Sequence, residues 1–281
     1  MKPVSGGVAM MSTRSVELPR THAASERGFL GVSALLFLVS TAATVAWCIS
    51  MSRMGETPMP GGWTLSMAWV PMCGQTWLGT AASFLGMWIV MMVAMMLPSL
   101  VPMLRGYRHS VRATGAVRLD VLTTLVGLGY FAVWAAFGVV VFAFGAALVV
   151  LEMRWPMLAR AVPALTGIVV LGAGVLQFSA WKTHRLACCR EVAGANCALS
   201  IDVGAAWRHG VRLGLHCSGA CAGLTAILLA AGVMDLRVMA VVAAAITVER
   251  LAPGGQAVSR VIGAIAAVAG VFLTVQAATL G

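Results

Sequence analysis

The densest run of chemically distinctive side chains in this sequence is sulfur. Met87, Met91, Met92, Met95 and Met96 fall within ten residues, followed by Pro98, Pro102 and Met103. On a helix, a spacing of four puts Met87, Met91 and Met95 on one stripe and Met92 with Met96 on the next. Thioether sulfur is a soft ligand that suits Cu(I) and discriminates against hard cations, so such a stripe can bind a soft ion or line a path for one. Methionine is also a flexible apolar gap-filler, and packing alone accounts for the same pattern. Pro98 and Pro102 predict a kink and freed backbone carbonyls.

Thiols form the second group. Cys217 and Cys221 are four residues apart and share a helical face, where a pair of thiolates can hold a soft metal. The competing reading is a close helix contact, since Gly219 and Gly223 form a G-x-x-x-G in the same turn. His216 lies about 100° round the helix from its neighbour Cys217. A second block holds Cys188 and Cys189 between Arg185 and Arg190, with Cys197 beyond it. Basic neighbours favour the thiolate. No C-x-x-C zinc spacing occurs anywhere in the chain. Cys48 and Cys73 are suited to a disulfide if they face an oxidising compartment.

The elements that must position these groups are apolar. Of 281 residues, 60% are hydrophobic and 10% charged, with mean hydropathy +0.93; an average soluble domain is about half apolar and about one quarter charged. This excludes an ordinary soluble globule as well as disordered, collagenous and disulfide-scaffold classes. Seven apolar runs stand out, at 29–49, 80–104, 121–151, 161–180, 213–234, 236–252 and 261–280. Roughly 20 helical residues cross the hydrocarbon of a bilayer, so the sixth run is marginal. Only Arg237, Glu249 and Arg250 among the charged residues fall inside a run. The expected fold is an all-α polytopic transmembrane helical bundle of seven spans, preceded by a disordered basic tail at 1–28 and with 29–281 as one domain.

Charge gives the orientation, because cytoplasmic loops collect Lys and Arg. With the N-terminus inside and the C-terminus outside, 15 of the 19 basic residues lie inside; Arg53, Arg154, Arg160 and Arg237 lie outside. The expected location is a bacterial cytoplasmic membrane. The pI of about 10.1 then reflects cations facing an anionic inner leaflet, with no nucleic acid required. The outer segment 50–79, with Trp63, Trp69 and Trp77, suits an interfacial loop or a short amphipathic helix. Depth unites the scattered groups: at about 1.5 Å per residue, Met95 and Met96 lie roughly 12 to 14 Å from the inner boundary, Cys217 and Cys221 roughly 6 to 12 Å, Gln177 roughly 6 Å and Glu249 roughly 5 Å. Polar groups in spans face the bundle and mark functional sites. Gln177 and Glu249 are therefore expected to share a cavity with the sulfurs, unless Glu249 pairs with Arg250 or snorkels to the interface.

In their order along the chain, the Met91 to Pro98 block, Gln177-Phe178-Ser179, Lys182, Cys189-Arg190, the Gly214 to Cys221 block and Glu249-Arg250 resemble a bacterial family of predicted metal-binding integral membrane proteins, catalogued as a domain of unknown function. The resemblance covers residues 80–280. It implies a polytopic membrane fold and a suspected metal, without an established activity; the candidate metal ligands among the residues read above are Met91, Met92, Met95, Met96, Cys189, Cys217 and Cys221. The chain departs from the family pattern at Arg185 and Ala220, each where that pattern has a cysteine, and at Ala222 in place of an aromatic.

The expected function is binding or transfer of a soft transition metal, copper ahead of zinc because methionines outnumber zinc ligands in the helices. The expected partners are the lipid bilayer and a metal-delivery or assembly protein. The alternative is a non-metal membrane assembly factor that docks a partner through its basic cytoplasmic loops. A haem or thiol redox enzyme using His184, His209 and His216 ranks last: the chain has no nucleophile elbow, phosphate loop, H-E-x-x-H or paired-carboxylate motif.

Overall fold

The structure is a computed structural model and describes residues 17–53, 57–59, 63–65, 69–71, 74–113, 118–194 and 202–280. In chain order the elements are α1 (Glu17–Arg53), β1 (Thr57–Met59), β2 (Trp63–Leu65), α2 (Trp77–Ala113), α3 (Leu119–Arg154), α4 (Pro156–Leu176), α5 (Ala180–Gly194), α6 (Val203–Ala231), α7 (Leu236–Leu251) and α8 (Gly255–Leu280). Local chemistry sets several boundaries. Pro156 starts α4, where its missing N–H costs nothing. The Asp235 carboxylate caps α7, accepting from the Arg237 and Val238 amides at 2.7 and 3.3 Å. Gly232, at φ 122°, makes the turn that ends α6.

Among the described residues, six helices are long and apolar enough to cross a membrane: α1, α2, α3, α4, α6 and α8. The seventh expected span, 236–252, forms α7, which has 16 residues. Such a helix rises about 24 Å, short of a hydrocarbon core of about 30 Å. Surface and interior follow a membrane pattern. Val32, Leu38, Phe144 and Val268 are all more than half exposed, while Trp88, Met96, Tyr130 and Trp134 are fully buried.

Three segments outside the expected spans have regular structure. Helix α1 begins at Glu17, inside the expected tail, and residues 1–16 lie outside the described residues. The basic residues after the second apolar run extend α2, where Arg105, Arg108 and Arg112 reach Glu26 of α1 at 3.6, 3.3 and 3.0 Å. Part of the Trp-rich segment is a β-hairpin, with Met59 opposite Trp63, and the Trp63 indole donates to the Ala159 carbonyl at 2.8 Å. Cys73, the proposed disulfide partner of Cys48, lies outside the described residues.

Glycine governs the closest helix contacts. In the antiparallel pair α4 and α8, a Cβ on Gly263 would lie 2.7 Å from the Gln177 Cβ and 2.9 Å from the Gly174 carbonyl. In the pair α3 and α6, a Cβ on Gly214 would lie 3.0 Å from the Tyr130 carbonyl. Helices approach this closely only across small residues. The tight glycines of α6 are thus Gly210 and Gly214; Gly219 and Gly223 meet only ordinary contacts, with Arg185 and Ala173. Helix α7 lies against α2, α6 and α8. Arg250 in its last turn is level with Cys217, halfway along α6.

Candidate metal centre

Cys217 and Cys221 sit one turn apart on α6, both buried, with their Sγ atoms 3.9 Å apart. Four other helices reach this turn. From α3, the Tyr130 hydroxyl lies 2.9 Å from Cys217 Sγ. From α7, Arg250 Nη1 donates to Cys217 Sγ at 3.0 Å and to Ser99 Oγ of α2 at 2.9 Å. Its Nη2 lies 3.3 Å from Met103 Sδ, also on α2. The Ser99 hydroxyl in turn donates to the Met96 carbonyl at 3.0 Å. A single guanidinium therefore ties a thiol of α6 to a thioether and a hydroxyl of α2. Its planar fork of fixed donors suits such multiple contacts better than an ammonium would.

A second charged pair closes the other side. Lys182, from α5, donates to the Ala220 carbonyl between the two cysteines and forms an ion pair with Glu249 Oε1 of α7 at 2.8 Å. Both side chains are buried. Buried charges persist when they are paired and hydrogen-bonded, and here the partners come from three helices.

The residues singled out from the sequence divide as follows. Cys217 and Cys221 are brought together. Met91, Met92, Met95 and Met96 are all buried in the same apolar core as the cysteines, so both stripes face the bundle interior rather than lipid. The methionine that reaches the centre is Met103. Glu249 adjoins the thiol turn through Lys182 and is 1% exposed, which excludes snorkelling. Gln177 belongs elsewhere: its Oε1 accepts from the Ser259 hydroxyl of α8 at 3.2 Å, in the α4–α8 contact. Cys189 lies on α5 with its side chain outside the described residues, and Cys197 lies outside them altogether. His184 and Cys188 approach each other at 3.5 Å on the exposed side of α5.

Sequence reasoning missed Tyr130 and Ser99. Tyr130 carried a usable signal, as one of two tyrosines in the chain and a hydroxyl inside a long apolar run. Ser99 had little to distinguish it.

Among the described residues, no group of three or more His, Cys, Asp and Glu side chains could hold a metal ion. The donors that do converge are two thiols and a thioether, a set that suits a soft ion with few ligands. No curated protein and no solved structure matches the chain. Residues 85–273 match the PpoB2 family, described as a copper chaperone. That stretch runs from α2 into α8 and contains every side chain of the centre. The match covers two thirds of the sequence, and the chain belongs to this copper chaperone family.

Proposed function

We propose that this chain is a multi-pass membrane protein that takes copper, as Cu(I), onto the thiols of Cys217 and Cys221 and passes it on. The observation that carries the reading is the pair of buried thiols 3.9 Å apart. Zinc–thiolate bonds are about 2.3 Å, and with bonds of that length two sulfurs on one ion stand at most about 4.6 Å apart. The pair can therefore share an ion without movement of the α6 backbone. Met103 supplies a third sulfur once its guanidinium partner moves aside. Met96, Met95, Met92 and Met91 continue the thioethers along α2 in the same buried core. A few soft donors suit a carrier, because an open position lets a receiving ligand enter.

Six long apolar helices support a membrane location. The basic ends of the helices favour an inner cytoplasmic-membrane setting with the N-terminus inside. In that orientation α7 completes a seventh, short crossing and the C-terminus lies outside. A metal-delivery or assembly protein on the cytosolic side is then the partner.

Elemental analysis of protein purified under reducing conditions tests the reading. Copper is expected in the wild type and at background in Cys217→Ser/Cys221→Ser. Unchanged copper in the double variant rejects the site. Met95→Leu/Met96→Leu is expected to lower copper content without abolishing it.

A further inference from the structure

One face of α2 carries Met92, Met96, Ser99 and Met103, at the three- and four-residue steps that keep a helical stripe in line. Arg250 of α7 touches Ser99 and Met103, so this face is turned towards α7. The answering stripe of α7 is Met239, Val242, Ile246 and Arg250, all buried. The two helices run in the same direction. Trp88 and Arg108 of α2 meet α3 at Trp134 and Thr123, in reverse order, whereas Gly210 and Gly214 of α6 pack against Val126 and Tyr130 of α3 in the same order. Helix α7 then turns back from α6 at Gly232. Met92 precedes Met103, and Met239 precedes Arg250, by the same number of residues, a rise of about 16 Å over about three turns. Met239 is therefore level with Met92, on facing stripes and within the same buried core.

Every methionine of α2 is buried, whereas the exposed large apolar side chains of that helix are Trp77, Leu78 and Ile89. Sulfur is kept inside and plain hydrocarbon and indole outside on a single helix. From Met87 to Met103 the thioethers extend over about 24 Å. That is too far for one ion, and it is most of a hydrocarbon core of about 30 Å. The thiols lie alongside this run: Tyr130, which touches Cys217, falls between the points where α3 meets Trp88 and Arg108. Further out, Cys48 and Met87 are also buried, near the level where Trp47 of α1 approaches Gly86 of α2. We infer that a soft monovalent cation crosses the bundle on these sulfurs, from Met103 past the thiols and Met96 to the pair Met92 and Met239, so that the protein conducts the ion between the two faces of the membrane. Thioethers suit the passage, because a series of neutral, weak sites replaces the water an ion gives up without trapping it. The inference rests on the reading of Cys217 and Cys221 as a copper site and adds to it the route beyond.

The test reconstitutes the full-length protein into vesicles with a chromophoric Cu(I) chelator trapped inside, and supplies Cu(I) outside under reducing, anaerobic conditions. Colour is expected to develop faster than in protein-free vesicles. Met92→Leu/Met239→Leu removes two thioethers and conserves volume, a change that packed cores tolerate. Its flux is expected to fall to the protein-free rate while copper bound per purified molecule stays at the wild-type value. Met153→Leu alters an exposed methionine of α3 that is not on the route, and it should conduct as the wild type does. Wild-type vesicles that colour no faster than protein-free ones overturn conduction; copper on the purified wild type then leaves the binding reading in place. Purified wild type without copper overturns both. A flux in Met92→Leu/Met239→Leu equal to that of the wild type overturns the route, and so does a Met153→Leu variant as slow as the double one.

Discussion

Two regions of the bundle solve opposite problems. The pair α4 and α8 is held by backbone proximity: Gly174 and Gly263 let the helices touch, and one hydroxyl–amide contact, Ser259 to Gln177, crosses between them. Around Cys217, by contrast, α2, α3, α5, α6 and α7 meet through side chains, and Arg250 bridges α2 and α6 where those two helices have little direct contact. The dry contact is a packing solution. The polar one retains three buried charges that packing does not need.

The difference predicts how each region fails. The largest effect is expected from Glu249→Leu, which strips the carboxylate from Lys182 and leaves a buried ammonium. Breaking a buried ion pair on one side costs about 3–5 kcal/mol, whereas replacing both partners with apolar residues is often neutral. Thermal unfolding in detergent should therefore show a large loss for Glu249→Leu and recovery in Lys182→Met/Glu249→Leu. If the double variant is as unstable as the single one, the pair is not the unit described here.

Gly263→Val should come next. Its new side chain meets the Gln177 Cβ and the Gly174 backbone, and overpacking of this kind costs about 1–3 kcal/mol. Stability and yield are expected to fall while copper bound per folded molecule stays unchanged. A fall in copper per folded molecule would show that the two regions are coupled and would end the contrast between them.

What the sequence revealed follows the same division. A spacing of four places two cysteines on one face whatever the rest of the chain does, so the Cys217–Cys221 pair was legible from local geometry. The burial of the Met stripes was also legible, because an apolar helix crowded with large flexible side chains packs inward. The partners of the thiols were not legible. Whether Arg250 meets Cys217, Ser99 and Met103 depends on how α7 is rotated and how far it reaches, and no local pattern encodes either. Gln177 illustrates the converse. Its depth matched that of the sulfurs, but depth along a helix says nothing about which neighbour the side chain faces, and it faces α8. The hairpin at Thr57–Met59 and Trp63–Leu65 was obscured by Pro58 and Pro60, which argue locally against strands.

The finest test of the contrast deletes one hydroxyl from each region. Tyr130→Phe removes the contact with Cys217 Sγ, and Ser259→Ala removes the contact with Gln177. Each hydrogen bond is worth about 0.5–1.5 kcal/mol to stability, so the two variants should unfold at similar temperatures. Their copper chemistry should differ. A hydroxyl on a ligand sulfur acts on the donor itself, as outer-shell partners of metal ligands commonly do, and its loss is expected to weaken copper binding about tenfold or more. Ser259 touches no sulfur, and its removal should leave copper affinity unchanged. Equal copper affinities in the two variants would mean that Tyr130 serves only to join α3 to α6, leaving the thiols to be governed by Arg250 alone.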